Sequence, residues 1–449
     1  MSSSTRTHRL LEALGLHRPE LRAWAMYDWA ITGMYAVIIV AVFPIYFQRV
    51  AARGLDPTLA TQHFATATTL ALAIVAAIAP VVGAIADFAT VKKRFLGTFA
   101  GIGIAAVAGM YFIQEGDWLL AAGLFMIANL GANGSMIFYD AMLPHIAREH
   151  EIDRVSTAGF AVGYAGATLL LTLNLAMIMK PAWFFLPVES TLPSRLAFIT
   201  VAIWWLAFSI PLFRRVPEPP LPEGMQAVSA GQAVRRALGR LRHTFGELRG
   251  FKHAFLMLLA FLIYNDGIGT IIRMATIYGT ELGIEQGVLI GSIVLVQIVG
   301  VPFTFIFGTL AGRFTTKTAL FFGLFVYMGI SVLAYFMTTW VHFVLLALLV
   351  GTVQGGTQAL SRSLFASLIP RHKSGEFFGF FAVFEKFAGI FGPAIFSLMI
   401  IATGSSRQAI LSVIGFFIIG GLLLLFVDVD EGRAIARKAE KDRADALAA

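Results

Sequence analysis

Twelve long apolar runs constrain the fold of this chain more than any other feature. A helix needs roughly 20 apolar residues to cross the hydrocarbon core of a bilayer. Because backbone groups in lipid must be paired within the segment, such runs form helices rather than open sheets. The sequence therefore predicts an all-α integral membrane protein with twelve transmembrane helices. The runs cover residues 24–49, 62–86, 95–114, 117–143, 155–180, 196–214, 253–280, 286–311, 317–338, 341–369, 377–402 and 407–428.

The composition favours a surface that faces lipid rather than water. Hydrophobic residues make up 58% of the 449 residues and charged residues 13%, whereas a soluble domain is about 45–50% apolar and about 25% charged. A formal charge of +8 is also found in nucleic-acid-binding proteins, but here the basic residues lie mainly in alternate loops of the predicted topology. We therefore expect a lipid bilayer and a small molecule as partners, and no nucleic acid.

Lysine and arginine mark one side of the membrane. The loops on the side shared by both termini contain the basic cluster at 92–94, Arg214, Arg215 and the arginines of 235–252. Cytoplasmic loops carry an excess of Lys and Arg, so both termini are predicted to be cytoplasmic. The tails are short, and the sequence contains no evident cleavable or organellar signal. We expect a monomeric protein in a bacterial cytoplasmic (inner) membrane.

A polar segment divides the runs into two sets of six. It opens with prolines, which cannot continue a helix, and continues as AVRRALGRLRHTFGELRG, a pattern typical of a basic amphipathic helix at a membrane surface. Gly83 and Gly308, like Pro144 and Pro370, recur about 225 residues apart, which indicates two pseudo-symmetric halves. The predicted parts are a cytoplasmic segment 1–21, a six-helix bundle 22–216, a linker 217–251, a second bundle 252–428 and a cytoplasmic tail 429–449.

Ionisable side chains within the runs are candidates for binding or coupling. A charge near the bilayer centre costs roughly 2.5–3.5 kcal/mol, so such a residue is usually paired or functional. Asp266 lies near the middle of the seventh run beside Tyr264 and Asn265, and Arg273 lies about two turns later on the same face. The acid and the base can bracket a zwitterionic substrate, or each can pair with another helix for structure.

The tenth run carries a second candidate set. Arg362 shares a helix face with Gln358 and Gln354, four and eight residues earlier. A guanidinium group can hold a carboxylate or phosphate with two parallel hydrogen bonds. The alternative is that Arg362 extends to the inner membrane interface.

Other polar residues supply the remaining candidates. Glu385, next to Lys386 in the eleventh run, is a candidate proton carrier, since a buried carboxyl group binds a proton more readily. Asp28 is either a protonatable gate residue or an interfacial helix cap. Asp140 is interpreted as structural, and Asn133 can hydrogen-bond either a substrate or a neighbouring helix.

The loop after the second run contains a recognisable motif. It reads GAIADFATVKKR over 83–94, and it resembles the signature loop of the major facilitator superfamily: a glycine, an acid four residues later, then a basic cluster. The resemblance implies a gating loop formed by Gly83, Asp87, Lys92, Lys93 and Arg94. Phe88 departs from the motif, which usually has arginine directly after the acid, and Gly312 replaces the acid in the second copy.

A broader resemblance runs along the chain. The segments AMYDWAITGMYAVIIVAVFPIYF (25–47), FYDAMLPHIA (138–147), RVSTAGFAVGYAG (154–166), FLIYNDGIGTI (261–271), GTVQGGTQALSRSLFASLIP (351–370) and EFFGFFAVFEKFAGIFGP (376–393) resemble the vacuole-effluxer-like branch of this superfamily. The resemblance implies the twelve-helix, two-bundle major facilitator fold. It also implies transport, with amino acids as the favoured substrates.

The function predicted from these features is secondary active transport by alternating access. Coupling of this transport to protons is a further hypothesis. No ATP-binding P-loop is present, no nucleophile–base pair indicates an enzyme, and no cofactor or metal is expected. Two alternatives stay open: a lipid or lysolipid transporter, and a non-transporting receptor or scaffold with the same fold.

Overall fold

The computed structural model is all-helical over the residues that it describes: 11–89, 91–188, 190–219, 246–388 and 391–448. Within these ranges some side chains are not described, including those of Asp87, Arg273 and Lys386. Most of the predicted amphipathic linker helix lies outside the described residues. The first half comprises α1 (Pro19–Ala51), α2 (Pro57–Ala89), α3 (Lys92–Gly109), α4 (Trp118–Ile146), α5 (Ile152–Met179) and α6 (Leu192–Arg215). The second half comprises α7 (Lys252–Glu281), α8 (Gln286–Arg313), α9 (Thr316–Tyr335), α10 (Trp340–Ser367), α11 (Ser374–Phe387), α12 (Phe391–Thr403) and α13 (Ser406–Leu425), followed by α14 (Val429–Ala448).

The helices correspond to the predicted spans. Ten of the described helices are long and apolar enough to cross a membrane. The second span lies in α2, whose apolar stretch Thr66–Pro80 is shorter, and the eleventh is covered by α11 and α12 together. The twelve-span fold predicted from the apolar runs is therefore confirmed.

The eleventh span differs from its prediction as one continuous helix. Two shorter helices replace it, and α11 ends before Ala388, which has a non-helical ψ of 82°. Pro393 lies in the first turn of α12, where a missing backbone N–H costs nothing, whereas in a continuous helix it would remove a hydrogen bond. The apolar run alone does not reveal this interruption, because both pieces are equally hydrophobic.

Helix α1 also departs from regular geometry. Its turns over Tyr35–Ala41 and Phe47–Ala51 are π-helical, and Pro44 between them has no N–H for a regular helical bond. Short π-helical turns often occur at functional sites. Tyr35 and Val40, which belong to the first of these turns, line a cavity described below.

The start of α1 and helix α14 lie at the same end of the molecule. At the start of α1, Arg18 donates to the Ile146 carbonyl and contacts the Glu151 carboxylate in the α4–α5 loop. On α14, Arg433 lies 3.9 Å from Glu149 of the same loop. We call this the terminal end. An even number of membrane crossings requires this arrangement.

The two halves pack against each other most extensively through two pairs of helices. Helix α2 packs on α11, and α8 packs on α5. Gly83 of α2 faces the backbone of Gly375, while Gly308 of α8 faces Thr157. The glycines that sequence comparison placed at equivalent positions therefore occupy equivalent contacts between the halves. Small residues allow helices to approach this closely.

Candidate functional site

Arg362 connects the two halves near the terminal end. It belongs to α10 and is 2% exposed, yet its hydrogen-bond partners within the described residues lie in the first half. Its Nη1 lies 3.0 Å from Asp140 Oδ1 on α4, and its Nη2 lies 3.5 Å from Asp28 Oδ2 on α1. Its Nε donates to Ser156 Oγ, and Nη2 donates to the Ser156 carbonyl, both at 3.0 Å. With Tyr139, which donates to Asp28 Oδ2 at 2.7 Å, these residues form what we call the arginine cluster.

Aromatic rings enclose the arginine cluster. The Arg362 guanidinium carbon lies 4.9 Å from the Trp24 ring centroid and 4.4 Å from that of Phe160. Trp24 stacks on Tyr139 with centroids 4.3 Å apart. A guanidinium group is stabilised over aromatic faces where water is excluded. A Cβ at position 159 would lie 2.5 Å from Asp28 Oδ2, so only glycine permits this approach.

The charges within the arginine cluster do not balance. Asp28 and Asp140, both buried, share one guanidinium group. With both carboxylates ionised, the three side chains carry one net negative charge. One bound proton would neutralise them, which matters because an uncompensated charge in a low-dielectric site is costly.

Further polar contacts close the terminal end. Lys92 Nζ lies 3.1 Å from Ser374 Oγ, and His145 Nε2 lies 3.0 Å from the same oxygen. The Asp153 carboxylate of α5 accepts from Ser363 at 2.5 Å and from Thr316 at 2.6 Å. Each contact joins the first half to the second. The terminal end is therefore sealed by direct contacts between the halves.

The residues of the predicted gating loop contact different parts of the molecule. Gly83 and Lys92 contact the second half, as described. Lys93 Nζ donates to the Phe213 and Val216 carbonyls at the end of α6, both at 2.8 Å. Arg94 is exposed. Asp87 lies in α2, and its side chain is outside the described residues.

A cavity of 280 Å³ lies on the other side of the arginine cluster. It extends to the end opposite the termini, because its walls include Tyr278 at the end of α7 and Met337 in the α9–α10 loop. Most of its lining is aliphatic or aromatic, and none of the lining residues that the structure describes is charged. The polar lining residues are Thr32, Tyr35, Tyr164, Tyr278, Ser292, Gln297, Ser331 and Gln354.

Two helices lead from the cavity to the arginine cluster. On α10, Gln354 lines the cavity and Arg362 follows eight residues later, about 12 Å along the axis. The partly exposed Gln358 lies between them. On α1, Thr32 lines the cavity one turn after Asp28. The face shared by the tenth-run candidates therefore connects a binding-sized cavity to a buried ion pair.

Asp266 has a different environment. It is 1% exposed, and its Oδ2 accepts from the Gly392 N–H at 2.9 Å. That N–H belongs to the first turn of α12, where a carboxylate is stabilised by the helix dipole. Tyr264 contacts Ser361 Oγ at 2.5 Å, Asn265 is partly exposed, and Arg273 has no described side chain. The structure brings Asp266 to the break in the eleventh span, while its bracketing with Arg273 stays a prediction.

Glu385 and Asn133 lie near the cavity's inner end. Glu385, half-buried on α11, interacts electrostatically with Tyr35 and Asp140. Asn133 Oδ1 accepts from Tyr35 OH at 3.1 Å. A third carboxylate thus lies close to the arginine cluster, from the second half. Lys386 lies on α11, with its side chain outside the described residues.

His372 and Glu218, at the terminal end and outside the spans, have shifted pKa values. Burial, with Arg443, Lys373 and Lys92 nearby, lowers the pKa of His372 to about 4. Burial raises the pKa of Glu218, even though its carboxylate accepts the Lys93 backbone N–H. His372 therefore adds no charge to the closed end at neutral pH.

Sequence reasoning did not find the partners of Arg362. Asp28 was named as a candidate and Asp140 was interpreted as structural, but neither was paired with Arg362, and Ser156 was not singled out. Ser156 and Arg362 are 206 residues apart, and helical periodicity carries no information on contacts across that distance. The sequence offers one signal for such contacts. A charged side chain in an apolar run needs a partner of opposite charge on another helix.

Comparison with known proteins agrees with this architecture. Residues 58–437 match the family described as vacuole effluxer Atg22 like. A Bacillus subtilis (strain 168) protein named uncharacterized MFS-type transporter YxiO is 37% identical over 417 residues, covering 93% of this chain and 96% of that protein. Autophagy-related protein 22-1 of Aspergillus niger is 27% identical over 64% of this chain and 49% of its own length.

A solved structure shows the same fold. The proton:xylose symporter XylE bound to 6-bromo-6-deoxy-D-glucose superposes with a TM-score of 0.70 at 16% identity, covering 91% of this chain and 95% of that chain. The family match, the bacterial relative and the two-bundle fold lead to one assignment. This chain belongs to the vacuole effluxer Atg22-like family and is a membrane transporter of the major facilitator type.

Proposed function

We propose that this protein moves a small polar or zwitterionic metabolite across the membrane by alternating access, in a proton-coupled process. Amino acids are the class that the family resemblance favours. The observation that carries the proposal is Arg362: one buried side chain of the second half holds two carboxylates of the first half, on the closed side of a cavity. Breaking and remaking these contacts would open and close the terminal end.

The positive-inside pattern supports a cytoplasmic terminal end. The structure would then represent a state closed to the cytoplasm, with the cavity facing the other side. A substrate's apolar part fits the aliphatic lining, and its polar groups can contact Gln354, Tyr164 or Tyr35. Proton coupling is supported by two carboxylates, Asp28 and Asp140, around a single guanidinium group, and by a third, Glu385, which interacts electrostatically with Asp140.

The substrate class is tested by thermal unfolding of the purified protein with amino acids, peptides, sugars, nucleosides and lysolipids across pH. A ligand that binds only the folded protein raises its apparent stability. We expect amino acids to produce the rise. Its loss in Arg273→Ala would place the bound substrate at the predicted Asp266–Arg273 pair.

Alternating access is tested by a disulfide between the halves. The chain contains no cysteine, so two engineered cysteines can form only one disulfide within it. A Cβ at position 308 lies 3.1 Å from Thr157 Cβ, close to the separation of about 3.5–4.5 Å found in disulfides. Oxidation of Thr157→Cys/Gly308→Cys should stop uptake of the identified ligand into proteoliposomes, and a reductant should restore it.

A matched pair within the second half serves as the control. A Cβ at position 323 on α9 lies 3.6 Å from Thr357 Cβ on α10, again a glycine facing a buried threonine. Oxidised Gly323→Cys/Thr357→Cys should still transport. Continued transport by the oxidised pair between the halves would contradict alternating access, and ligand binding without flux in unmodified protein would favour a receptor.

The aliphatic lining also favours a second candidate, a lysolipid transporter. A lysolipid would place its acyl chain against residues such as Leu346, Val350 and Ile410. A thermal shift with lysolipids but not with amino acids would replace the first proposal with this one.

A further inference from the structure

A basic pocket lies between α1 and α6 at the terminal end. Three arginines line this pocket of 270 Å³: Arg22 in the first turns of α1, and Arg214 and Arg215 in the last turn of α6. In the part of the chain that the structure describes, none of the three guanidinium groups has a hydrogen-bond or ion-pair partner. They bring three positive charges together at an exposed site, separate from the arginine cluster.

The remaining walls of the pocket are apolar. Ala23 and Met26 on α1 and Ile210 and Pro211 on α6 complete the lining. A purely topological excess of arginine would need no such pocket, because exposed side chains satisfy the positive-inside rule equally well. The combination of cations and apolar walls suits a ligand with an anionic head and a hydrocarbon body.

An apolar stripe extends from the pocket along α6. Ile203, Leu206 and Ile210 are 61%, 55% and 41% exposed, and their spacing places them on the face that ends at Arg214. These side chains face lipid in a membrane-spanning helix. The pocket is therefore continuous with the hydrocarbon region of the bilayer.

Aromatic rings support the wall between α1 and α6. The Trp29 and Trp204 rings are 5.5 Å apart, those of Trp204 and Phe208 are 4.5 Å apart, and Trp204 Nε1 donates to the Trp29 carbonyl at 3.1 Å. These contacts fix the separation of the two helices. The pocket is thus formed by a packed part of the first half.

We propose that this pocket binds the phosphate headgroup of an anionic phospholipid, with the acyl chains along Ile210, Leu206 and Ile203. Basic pockets between transmembrane helices at the cytoplasmic side recognise such headgroups. The ligand would join the start of α1 to the end of α6 and stabilise the first half. This site is independent of the transported substrate.

Thermal unfolding of the full-length protein in an uncharged detergent tests the proposal. Three additions are titrated: dioleoyl phosphatidylglycerol, phosphatidylcholine with the same acyl chains, and inorganic phosphate. We expect a saturable rise in Tm with phosphatidylglycerol and little change with the other two. An equal rise with phosphatidylcholine, or with inorganic phosphate, would overturn the proposal, since the site would then not select a charged lipid.

Variants locate the effect. Each arginine near an anionic lipid surface contributes about fivefold to binding, so Arg22→Gln/Arg214→Gln/Arg215→Gln should weaken apparent affinity for phosphatidylglycerol on the order of 100-fold. The control variant Lys252→Gln/Arg313→Gln/Lys438→Gln removes three exposed charges elsewhere at the same end and should keep the rise.

A charge-preserving variant distinguishes loss of lipid binding from loss of folding. Arg22→Lys/Arg214→Lys/Arg215→Lys keeps the charge and should retain most of the lipid-induced rise. If the control variant loses the rise as fully as the glutamine variant, the lipid recognises the general charge of this end and the pocket assignment is wrong.

Discussion

Arg362 satisfies its hydrogen-bonding groups almost entirely with residues of the other half. Its guanidinium group bonds Asp140 and both the hydroxyl and the carbonyl of Ser156. A planar, five-donor group can make these bonds at once, whereas an ammonium group cannot match their geometry. The side chain therefore stabilises the closed terminal end in a way that no other cation would reproduce.

Arg362→Gln should open the terminal end and lower transport. Removing one partner of a buried ion pair typically costs about 3–5 kcal/mol, so transport should fall at least about tenfold. Spin labels at Arg94→Cys and Arg313→Cys, both exposed at this end, should report a longer distance. Arg362→Lys should restore little of either property. An unchanged label distance would show that the arginine cluster does not hold this end closed.

Gly83 makes a second prediction at this scale. A Cβ there would strike the Gly375 carbonyl oxygen of α11, so Gly83→Ala should push α2 from α11 and shift the same label pair apart. The cost of such overpacking is typically about 1–3 kcal/mol. Gly101→Ala is the control, because a Cβ at Gly101 of α3 has no neighbour within 4 Å. Equal behaviour of the two variants would mean that the α2–α11 contact is not limiting.

Helix α14 crosses the terminal end as a bridge between the halves. Arg433 and Arg437 each lie 3.9 Å from Glu149 in the first half, while Glu440 accepts the Arg371 N–H of the second half at 2.7 Å. Glu431 lies 2.9 Å from His253 at the start of α7. The helix thus adds contacts to the closed state outside the membrane-spanning region.

Ending the chain after Asp428 should favour the state open at the terminal end. Exposed ion pairs contribute about 0–1 kcal/mol each, and truncation removes two that join the halves, so we expect a population change of about thirtyfold or less. The label pair at positions 94 and 313 measures it. Glu149→Gln should reproduce part of the change in the full-length chain. A truncated protein with unaltered label distances and transport would exclude a role for α14 in closure.

The sequence predicted the positions of the transmembrane helices much better than the points where those helices are interrupted. Apolar runs locate the spans because lipid imposes length and composition on every crossing helix. They did not locate the break before α12 or the π-helical turns around Pro44, since these depend on how Asp266, Tyr35 and their neighbours pack. For the same reason Asp266 was identified as a buried charge, but its partner, the Gly392 N–H, required the structure.

For the whole molecule, the carboxylates around Arg362 make proton coupling testable. Asp28→Asn and Asp140→Asn each remove the surplus negative charge, which imitates a bound proton. Transport driven by a pH gradient in proteoliposomes should be lost, whereas substrate exchange at equal pH should continue. Glu385→Gln tests the third carboxylate. Asp117→Asn, in the exposed α3–α4 loop region, is the control. Coupling would be disproved if all three variants still respond to the gradient.

The cavity and the seal between the halves use different stretches of the same helices. On α10, Gln354 and Val350 line the cavity, whereas Arg362 and Ser363 make the seal. A substitution at Gln354 or Val350 is therefore expected to change which ligand fits the cavity and to leave the contacts of the closed end intact. Ligand selection and closure therefore depend on different residues of the same helix. Substrate preference could change during evolution while the contacts that close the terminal end are kept.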